Sequence, residues 1–561
     1  MSDHGARVSE DREGVSASSK NGQLDGREWR LRLLRFGKLV LRRAHLWGAV
    51  LIFAFGFWLR GSLYLSAPTL WLDETSWAER LLNEPLQSLY VRPLGFMWLS
   101  LKVVNTLGYS ELSLRLLPFL ASCLTLPIFW LILRELIRST WVQLVGLLLA
   151  AIHPWFIDYG VEFKPYAVEL LNHLVCVWFC LRELRRASSL LQLSLIFAFA
   201  SAAFLLGYNI VFLYPAFFLS MTLTFLRRPS SQSAGNHRTV ILSTALCTCT
   251  ALILWIRATA LAAVANYDES PYWAAKYGVF FEKSSAAEPS RVDWYVQKYL
   301  SLTSAPSLVS EWSWESLHLP AAVSRELLAT FSIVWLLLHF QGIWLLVHRK
   351  RWLVLCLLVT PTLTALVFNI VGKWPFGLFR TNVFMLGYFV ILAVLGLDAW
   401  VNQRHRAVRW AGGVLALALI LPSTVVAAHG RREKAWPSLE TPKALALLTK
   451  LSDGQSGRIP LYCDSYSCSN IDAYTRYHIH YSKTYGSLLQ DRYRLMRGYH
   501  VSDIASSLRR QRQGPAVIVI GRASELEAAR SEFPALCTKS TVHEENNKLP
   551  LVVHCMRGKA E

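Results

Sequence analysis

The stretch HLWGAVLIFAFGFWLRGSLYLSAPTLWLDETSWAERL, His45–Leu81, decides the fold of the chain. It opens with an apolar run long enough to cross a bilayer. Hydrocarbon offers no partners to backbone polar groups, so this run must be helical. Two carboxylates, Asp73 and Glu74, follow directly between Trp71 and Trp77. Carboxylates at the edge of a bilayer are costly unless they face water, a cavity or a partner. They indicate either an interfacial loop anchored by tryptophans or a functional site.

The composition of the whole chain is that of a membrane protein. Of its 561 residues, 53% are hydrophobic, 12% are aromatic and only 17% are charged. The mean hydropathy is +0.31, and together these values exclude an ordinary soluble domain. The net charge of +20 does not indicate nucleic-acid binding, because Lys and Arg punctuate apolar runs instead of forming one basic face.

Further apolar runs predict a polytopic α-helical protein with about eleven transmembrane helices. The spans are expected to begin near His45, Leu112, Trp141, Pro165, Leu190, Ile210, Thr239, Glu326, Trp352, Leu378 and Ala407. With a cytoplasmic N-terminus, the positive-inside rule holds for the short basic turns RELIRS, LRELRRA, LRRPSSQSAGNHR, VHRKR and NQRHRAVR. The segment PLGFMWLSLKVVNTLGY, Pro93–Tyr109, would invert this pattern as a twelfth span. We therefore expect it to form an interfacial helix.

Charge and hydropathy divide the chain into three regions. Residues 1–44 are polar, lack the apolar core of a signal peptide, and predict a disordered basic cytoplasmic tail. Residues 45–429 hold the spans, with a first external loop over 66–111 and a long external loop over 262–325. Residues 430–561 predict a small external α/β domain, with strands at RIPLYCDS and PAVIVIG and helices at TPKALALLTKL and ASELEAARSEF.

The C-terminal region contains four cysteines, Cys463, Cys468, Cys537 and Cys555. Their concentration there agrees with an oxidising side of the membrane. Cys463 and Cys468 are close enough in sequence to pair, and buried free thiols are an equal alternative. No metal-binding spacing is evident.

The second external turn, HPWFIDYGVEFKPYAVELL, places both signs of charge at the predicted outer surface. Glu162 and Lys164 lie near Tyr166, on the same side as the carboxylates of the first loop. Inside the following span, Glu169 and His173 are four residues apart. They share a helix face, which predicts a structural polar pair.

A late turn, GKWPFGLFRTNVF, adds Lys373 and Arg380 on the same face, and Arg115 stands at the mouth of the second span. Such cations can extend to the lipid headgroups, or they can bind a phosphate, for which arginine offers a bidentate fork. Carboxylates, cations and aromatic rings gathered at a bilayer surface indicate transfer from a lipid phosphate.

The order of these motifs resembles that of bacterial GT-C membrane glycosyltransferases, in particular relatives of protein O-mannosyltransferases, aminoarabinose transferases and lipopolysaccharide-core galacturonosyl transferases. LWLDETSWA resembles the Asp-Glu motif of their first loop, and RPLGFMWLSL resembles the His-Pro-Pro-Leu segment that follows. YSELSLRLLPFLASCLTLPIFWLILREL resembles their second span, with its arginine at Arg115. IHPWFIDYGVEFKPYAVELL and KWPFGLFRTNVFML resemble the second external motif and the late Tyr-Pro-Phe-Gly…Arg motif. The resemblance covers about Leu51–Trp400 and implies the GT-C fold.

The resemblance implies a transferase of the bacterial inner membrane, with an external C-terminus. Its donor would be a polyprenyl-phosphate-linked sugar, and its acceptor would be a hydroxyl of a glycan, lipid or protein. Nucleic acid is not expected as a partner. Asp73 is then the general base that deprotonates the acceptor hydroxyl, and Glu74 is a catalytic residue that supports or orients it. The reaction inverts the configuration at the anomeric carbon. The leaving phosphate needs positive charge, for which the candidates are Arg380, Lys373, Arg115, Lys164 and Arg92. The candidates for contact with sugar or acceptor are Glu162, Tyr166, Trp71 and the aromatic residues of SPYWAAKYGVFF, Ser270–Phe281.

The first loop departs from the family pattern at one point. The usual His-Pro-Pro reads Val91-Arg92-Pro93, so Arg92 replaces a histidine and is itself a candidate phosphate ligand. A role of that histidine in metal binding therefore does not carry over. Some relatives bind a divalent ion and others do not, and no dedicated ligand cluster is evident here. No cofactor is assigned, and the question of a divalent cation stays open.

Two other classes of function compete with a transferase. A transporter or flippase of lipid-linked saccharides would also need charged groups in a cavity. Transporters tend to carry internal repeats and helices broken at the midplane. Here no repeat is visible and the charges gather at one face, which favours surface chemistry. A membrane anchor for a catalytic C-terminal domain is disfavoured because that domain carries no recognisable catalytic motif.

Overall fold

The computed structural model is mostly helical and has a sheet near its C-terminus. Residues 51–561 form one compact unit and residues 1–50 form another. The structure describes residues 26–66, 69–85, 92–186, 188–227, 232–264, 274, 278–281, 290–304, 321–403, 406–429, 441–453, 457–498, 500–510, 514–520, 526–537, 539–545 and 548–557.

Fifteen helices lie before residue 430 among the described residues. In chain order they are α1 Gly26–Ser66, α2 Leu72–Asn83, α3 Leu94–Leu107, α4 Glu111–Leu136, α5 Thr140–Ile152, α6 Pro154–Asp158, α7 Tyr166–Arg185, α8 Leu190–Leu206, α9 Tyr214–Arg227, α10 Gln232–Val264, α11 Arg291–Ser304, α12 Ala321–His348, α13 Trp352–Ile370, α14 Val383–Val401 and α15 Arg406–His429. Short 3₁₀ turns lie at Tyr159–Val161, Tyr208–Phe212 and Arg380–Asn382.

A helix lies at each of the eleven predicted span positions, which confirms a multi-pass helical membrane protein. Among the described residues, six helices are long and apolar enough to cross a bilayer: Ala44–Ser66, Glu111–Leu136, His237–Ala258, Thr330–His348, Trp352–Ile370 and Arg380–Val401. The pair Thr140–Ile152 and Pro154–Val161, bent by 53°, makes a seventh if it counts as one span. The total of eleven spans stays a prediction.

The first helix begins at Gly26, well before the span expected near His45. Leucine and arginine, which fill much of the segment before His45, are good helix formers, so the helix extends beyond the apolar run. Residues 1–25 of the predicted disordered tail lie outside the described residues.

The helix α14 is the centre of the bundle. It is apolar on all sides, and 94% of the span Arg380–Val401 is buried. Gly342 of α12 and Gly396 of α14 lie where a β-carbon would meet the carbonyl oxygens of Leu392 and Leu338. Small residues that let backbones approach are the usual packing device of helices in membranes. The helices α12 and α14 therefore pack closely at this point.

The C-terminal region contains a mixed sheet among its described residues. Its strands are β1 Ile459–Asp464, β2 Tyr493–Gly498, β3 Gly514–Ile520, β4 Lys539–Glu545 and β5 Lys548–Arg557, in the spatial order β2-β1-β3-β5-β4. β1 pairs in parallel with β2 and β3, and β5 pairs antiparallel with β3 and β4. The helices of this region are α16 Thr441–Ser452, α17 Ser465–Arg476, α18 Tyr481–Tyr485, α19 Val501–Arg510 and α20 Leu526–Leu536, and a π turn covers Leu488–Arg492.

Both faces of this sheet are buried. Along β1 and β3, Leu461 and Val517 lie in a cluster with Leu445 of α16, whereas Tyr462 and Ile518 lie in a cluster with other helices. Strands covered on both faces need continuous apolar runs, which explains the segments predicted as strands at RIPLYCDS and PAVIVIG. The strands and the two helices predicted here are confirmed, and the boundary at residue 430 stays a prediction.

The four cysteines of this region form disulfides, Cys463 with Cys468 and Cys537 with Cys555. The pairing of Cys463 with Cys468 is thus the alternative that the structure supports. This disulfide joins the end of strand β1 to the first turn of helix α17.

Candidate active site

The structure brings Asp73 next to Arg380, which is distant in sequence. The Asp73 Oδ2 atom lies 2.5 Å from Arg380 Nη1. Both side chains are partly open, with 29% of Asp73 and 20% of Arg380 exposed. The Arg380 guanidinium also lies over the ring of Trp71, 5.3 Å from its centroid. The indole nitrogen of Trp71 donates to Glu162 Oε1 at 3.1 Å, so three segments of the chain meet at one point.

Glu74 occupies a different environment from its neighbour. Its side chain is fully buried and accepts hydrogen bonds from Arg115 Nε at 2.8 Å and Nη2 at 2.5 Å. It also accepts the backbone N–H groups of Phe163 at 2.5 Å and of Trp71 at 3.3 Å. Successive residues of a helix point about 100° apart, which is why two adjacent carboxylates separate into a buried and an open one. Glu74 therefore joins α2 to α4 and to the loop before α7.

The first turn of α2 suits both carboxylates. Trp71 is extended and precedes the helix, and Asp73 and Glu74 stand in its first turn. Negative charge is favourable there because the unpaired N–H groups of a helix N-terminus carry partial positive charge. The sequence LDET therefore starts a helix at the point where the chain leaves the apolar run.

Trp77, one turn further along α2, supports two cations. Lys164 Nζ lies 4.2 Å and the Arg92 guanidinium 5.0 Å from its ring centroid. Such cation–π contacts favour the charged side chains. The ring itself packs edge-on against Phe96 and Phe163. Trp77 is thus a platform for cations, whereas the sequence pattern indicated only a membrane anchor.

Lys164 is buried, and burial lowers the pKa of its ammonium from 10.5 to about 7. That value already includes the charges nearby: Asp73 and Glu162 oppose the shift, and Arg380 and Arg92 act in the same direction as burial. A lysine whose pKa lies near neutrality can change charge in the physiological range. The positive charge at this position depends on pH.

Tyr166 forms part of an aromatic wall beside these charges. It is largely buried and meets Tyr159 edge to face, with 5.3 Å between ring centroids. Tyr159 packs in turn against Trp155 at 5.2 Å. Aromatic side chains commonly line the pockets that bind small ligands.

The turn that carries Arg380 is braced by Asn382. The Asn382 amide donates to the carbonyl oxygens of Pro375 at 3.0 Å and Gly377 at 2.9 Å, and its oxygen accepts the Trp374 indole N–H at 2.9 Å. Gly377 has a φ of +97°, a conformation that favours glycine. Sequence reasoning missed Asn382, although an Asn beside a Pro/Gly turn is a signal for side-chain to backbone hydrogen bonds.

One predicted pair lies differently from the expectation, and the predicted phosphate ligand Lys373 stays a prediction. Lys373 is exposed, and no contact described in the structure joins it to Asp73. Glu169 and His173 do not form the predicted pair: Glu169 accepts from Asn209 at 2.8 Å, and His173 Nδ1 bonds the Tyr388 hydroxyl at 2.8 Å. Neighbouring helices offer each of them a partner, which helix spacing alone could not show.

The C-terminal region contacts the helix that carries both carboxylates. Thr75 donates to the amide oxygen of Asn470 at 2.8 Å, and Glu79 accepts from Ser469 at 2.9 Å and pairs with Arg497 at 3.3 Å. The helix α17 therefore packs against α2 through polar contacts. Nothing in the sequence indicates this contact, because its partners lie about four hundred residues apart.

The described residues show no metal cluster, and most of the long external loop lies outside them. Among the described residues, no group of three or more His, Cys, Asp and Glu side chains is arranged to hold a metal ion. Most of Ser270–Phe281, which was expected near the sugar or acceptor, lies outside the described residues.

Residues 91–255 match the model of a family described as dolichyl-phosphate-mannose-protein mannosyltransferase. No curated protein matches the chain. Among solved structures, ArnT from Cupriavidus metallidurans in the apo state is 12% identical, with 93% of this chain and 98% of that chain covered and a TM-score of 0.45. The same protein bound to undecaprenyl phosphate is also 12% identical, with 92% of this chain and 98% of that chain covered and a TM-score of 0.45. The Archaeoglobus fulgidus oligosaccharyltransferase in the apo form is 12% identical over 76% of this chain and 63% of that one, with a TM-score of 0.44.

Structural likeness at these scores is weak, and the family match does not depend on it. The matched residues include Arg92, Arg115, Glu162 and Lys164, which the structure places around Asp73 and Glu74. This match confirms the resemblance of the chain to the GT-C membrane glycosyltransferases.

Proposed function

We propose that the chain moves a sugar from a polyprenyl-phosphate-linked donor to an acceptor hydroxyl at the external surface of the membrane. One observation carries the proposal: the partly exposed Asp73 lies 2.5 Å from Arg380, beside Lys164 and Arg92 on their shared Trp77 ring. A carboxylate beside several cations combines a proton acceptor with a binding site for phosphate. The matched family's description names a dolichyl-phosphate-linked sugar, which is a donor of this chemistry.

In the proposed step, the acceptor oxygen attacks the anomeric carbon of the sugar. A new carbon–oxygen bond forms while the bond from that carbon to the phosphate oxygen breaks. Asp73 takes the proton of the acceptor hydroxyl, and the lipid phosphate leaves with the bonding electron pair. Because the two oxygens occupy opposite faces of the sugar, the configuration inverts.

The cations of the site would stabilise the charge that develops on the leaving phosphate. A guanidinium has five N–H donors, so the contact of Arg380 with Asp73 leaves donors for a phosphate. Lys164 and Arg92 add positive charge at Trp77, which lies four residues after Asp73 on the same face of α2. Glu74 and Arg115 neutralise each other in the buried interior, so they support the site as a scaffold. Lys373 stays a predicted phosphate ligand, and no side-chain contact described in the structure joins it to the other site residues.

Glu162, Tyr166 and Trp71 are the proposed contacts of the sugar or acceptor. Trp71 is already oriented by its bond to Glu162 and by the Arg380 guanidinium above its ring. The acceptor class stays open among glycan, lipid and protein. A location in the bacterial inner membrane with an external C-terminus belongs to the same proposal.

A donor-cleavage experiment tests the function directly. The purified chain in proteoliposomes is incubated with undecaprenyl-phosphate-linked sugars and a membrane extract that supplies acceptors. We expect release of undecaprenyl phosphate and transfer of the labelled sugar to material of the extract. A flippase would instead move the intact donor between leaflets without release of the phosphate, and that outcome would replace the transferase by its main alternative.

Arg380→Ala should raise the apparent KM for the donor roughly tenfold to hundredfold. The substitution removes a charge-assisted hydrogen bond to the phosphate, which is worth about 1.5–3 kcal/mol. Arg380→Lys keeps the charge beside Asp73 but loses the fork, so its KM should lie between the two. Donor titrations of the three proteins measure this, and an unchanged KM in Arg380→Ala would remove Arg380 from the donor site.

Lys164 should make donor binding weaken as pH rises from about 6 to 8. Its pKa of about 7 means that the ammonium is largely charged at pH 6 and largely neutral at pH 8. Bound phosphate favours the charged form, so affinity falls by at most about tenfold per pH unit above the pKa. In Lys164→Arg the cation stays charged throughout and the KM should become flat in this range. A wild-type pH profile in Lys164→Arg would assign the dependence to another group.

A further inference from the structure

A cavity of about 290 Å³ lies at the end of α4 remote from Asp73. Its lining includes Glu135, whereas Arg115 of the candidate active site lies near the start of the same helix. Twenty residues separate these two positions, which corresponds to about 30 Å along a helix. The cavity and the candidate active site therefore lie at opposite ends of a membrane-spanning helix.

The turn between α12 and α13 gives the cavity an unusual lysine. Lys350 has a φ of +54°, and its N–H bonds the carbonyl oxygen of Val347 while the N–H of Arg351 bonds that of Leu346. This pair of bonds ends a helix with a left-handed residue, a position that glycine usually occupies. A lysine here is strained, and strain of this kind concentrates at functional sites.

The cavity carries excess positive charge. Among its described lining residues, Arg185, Lys350 and Arg351 face one carboxylate, Glu135. That carboxylate lies 2.9 Å from Arg185, which also donates to the Glu135 carbonyl. No ion pair in the described part of the chain involves Lys350 or Arg351, so their charges can serve a ligand.

Further cations strengthen this field. Partial burial and the nearby guanidinium groups of Arg185, Arg349 and Arg138 lower the pKa of Arg351. Burial is the larger cause of this shift, and the three guanidinium groups add to it because like charges repel. An anion in the cavity would relieve that repulsion.

Apolar and interfacial groups complete the lining. Leu136, Leu181 and Val354 are buried beside the charges, and Trp352 at the start of α13 is 56% exposed. Tryptophan is enriched where a membrane helix meets the headgroup region. The cavity thus combines cations with an apolar wall at the ends of spanning helices.

We propose that this cavity binds the headgroup of an anionic phospholipid. The phosphate would contact Lys350 and Arg351, and the acyl chains would follow the apolar wall into the bilayer. Basic pockets between membrane helices bind anionic headgroups in this way. A soluble phosphate would gain from the same cations and nothing from Leu136, Leu181 or Trp352, which is why we assign a lipid.

Lys350→Gly provides the sharpest test, because it removes the cation and the backbone strain together. The full-length detergent-purified chain is titrated with phosphatidylglycerol by native mass spectrometry, with phosphatidylcholine and sn-glycerol 3-phosphate as comparison probes. We expect the wild type to prefer phosphatidylglycerol, and Lys350→Gly and Arg351→Gln each to bind it roughly tenfold more weakly. Arg134→Gln removes an exposed cation near the same end of α4 outside the cavity lining, so it should bind like the wild type.

Thermal unfolding of each variant shows whether a loss of lipid binding comes from a loss of folding. Glycine suits the left-handed position, so Lys350→Gly should unfold at the wild-type temperature or above. Unchanged phosphatidylglycerol binding in both cavity variants would overturn the proposal, and so would equal affinity for phosphatidylcholine. Tight binding of sn-glycerol 3-phosphate that both variants lose would assign the cavity to a soluble phosphate instead.

Discussion

Asp73→Asn should reduce the turnover number of sugar transfer by roughly 10²–10⁴-fold, the range expected when a general base is removed. Asparagine has nearly the same shape and its amide oxygen can still accept from Arg380, but it cannot take the acceptor proton. The contact with Arg380, which is 2.5 Å in the wild type, should therefore be kept, while the proton transfer is lost. Steady-state transfer in proteoliposomes measures the effect.

Glu84→Gln is the matched control for this variant. It removes the carboxylate directly after the same helix, which forms an exposed pair with Arg80 at 3.8 Å. Exposed pairs of this kind contribute about 0–1 kcal/mol, so transfer and stability should stay near the wild-type values. Wild-type transfer by a folded Asp73→Asn protein would rule out Asp73 as the base.

Glu74→Gln should destabilise the fold, by about 3–5 kcal/mol, because it leaves Arg115 buried without its counter-ion. The new amide group also replaces one acceptor among bonds to Arg115, Phe163 and Trp71. We expect a lower midpoint of thermal unfolding in detergent and faster proteolysis of the first external loop. Activity should fall with the folded fraction.

A double variant separates scaffold from catalysis at this position. Arg115→Met together with Glu74→Gln removes both charges and should recover part of the lost stability, since apolar replacement of a buried pair is often nearly neutral. The difference between single and double variants gives the coupling of the two residues. A Glu74→Gln protein as stable as the wild type but inactive would show that Glu74 acts in the chemistry.

Much of the helical fold follows from the sequence. Each apolar run near bilayer length became a helix, because backbone groups in hydrocarbon must be paired within the segment. The runs with continuous apolar residues at the C-terminus became central strands for a related reason, since both their faces are covered. The start of α1 was harder to place, because good helix formers extend a helix beyond the lipid.

Only part of the candidate site could be predicted from the sequence. The motifs at Asp73, Glu162 and Arg380 indicated a common face, and the structure joins them through Trp71. The bracing role of Asn382 and the contact of Thr75 with Asn470 depend on segments that meet only after folding. Side-chain spacing within one helix also misled for Glu169 and His173, whose partners come from other helices.

The sequence by itself determined that this is a multi-pass helical membrane protein with a cluster of charges near one end of its spans. Hydropathy and charge are properties of each segment of the chain, so their pattern can be recognised without a structure. The tertiary structure alone decided that Glu74 is buried against Arg115 while Asp73 opens toward Arg380. Adjacent residues of a helix point in different directions, and only the packing of other segments determines which direction is the interior.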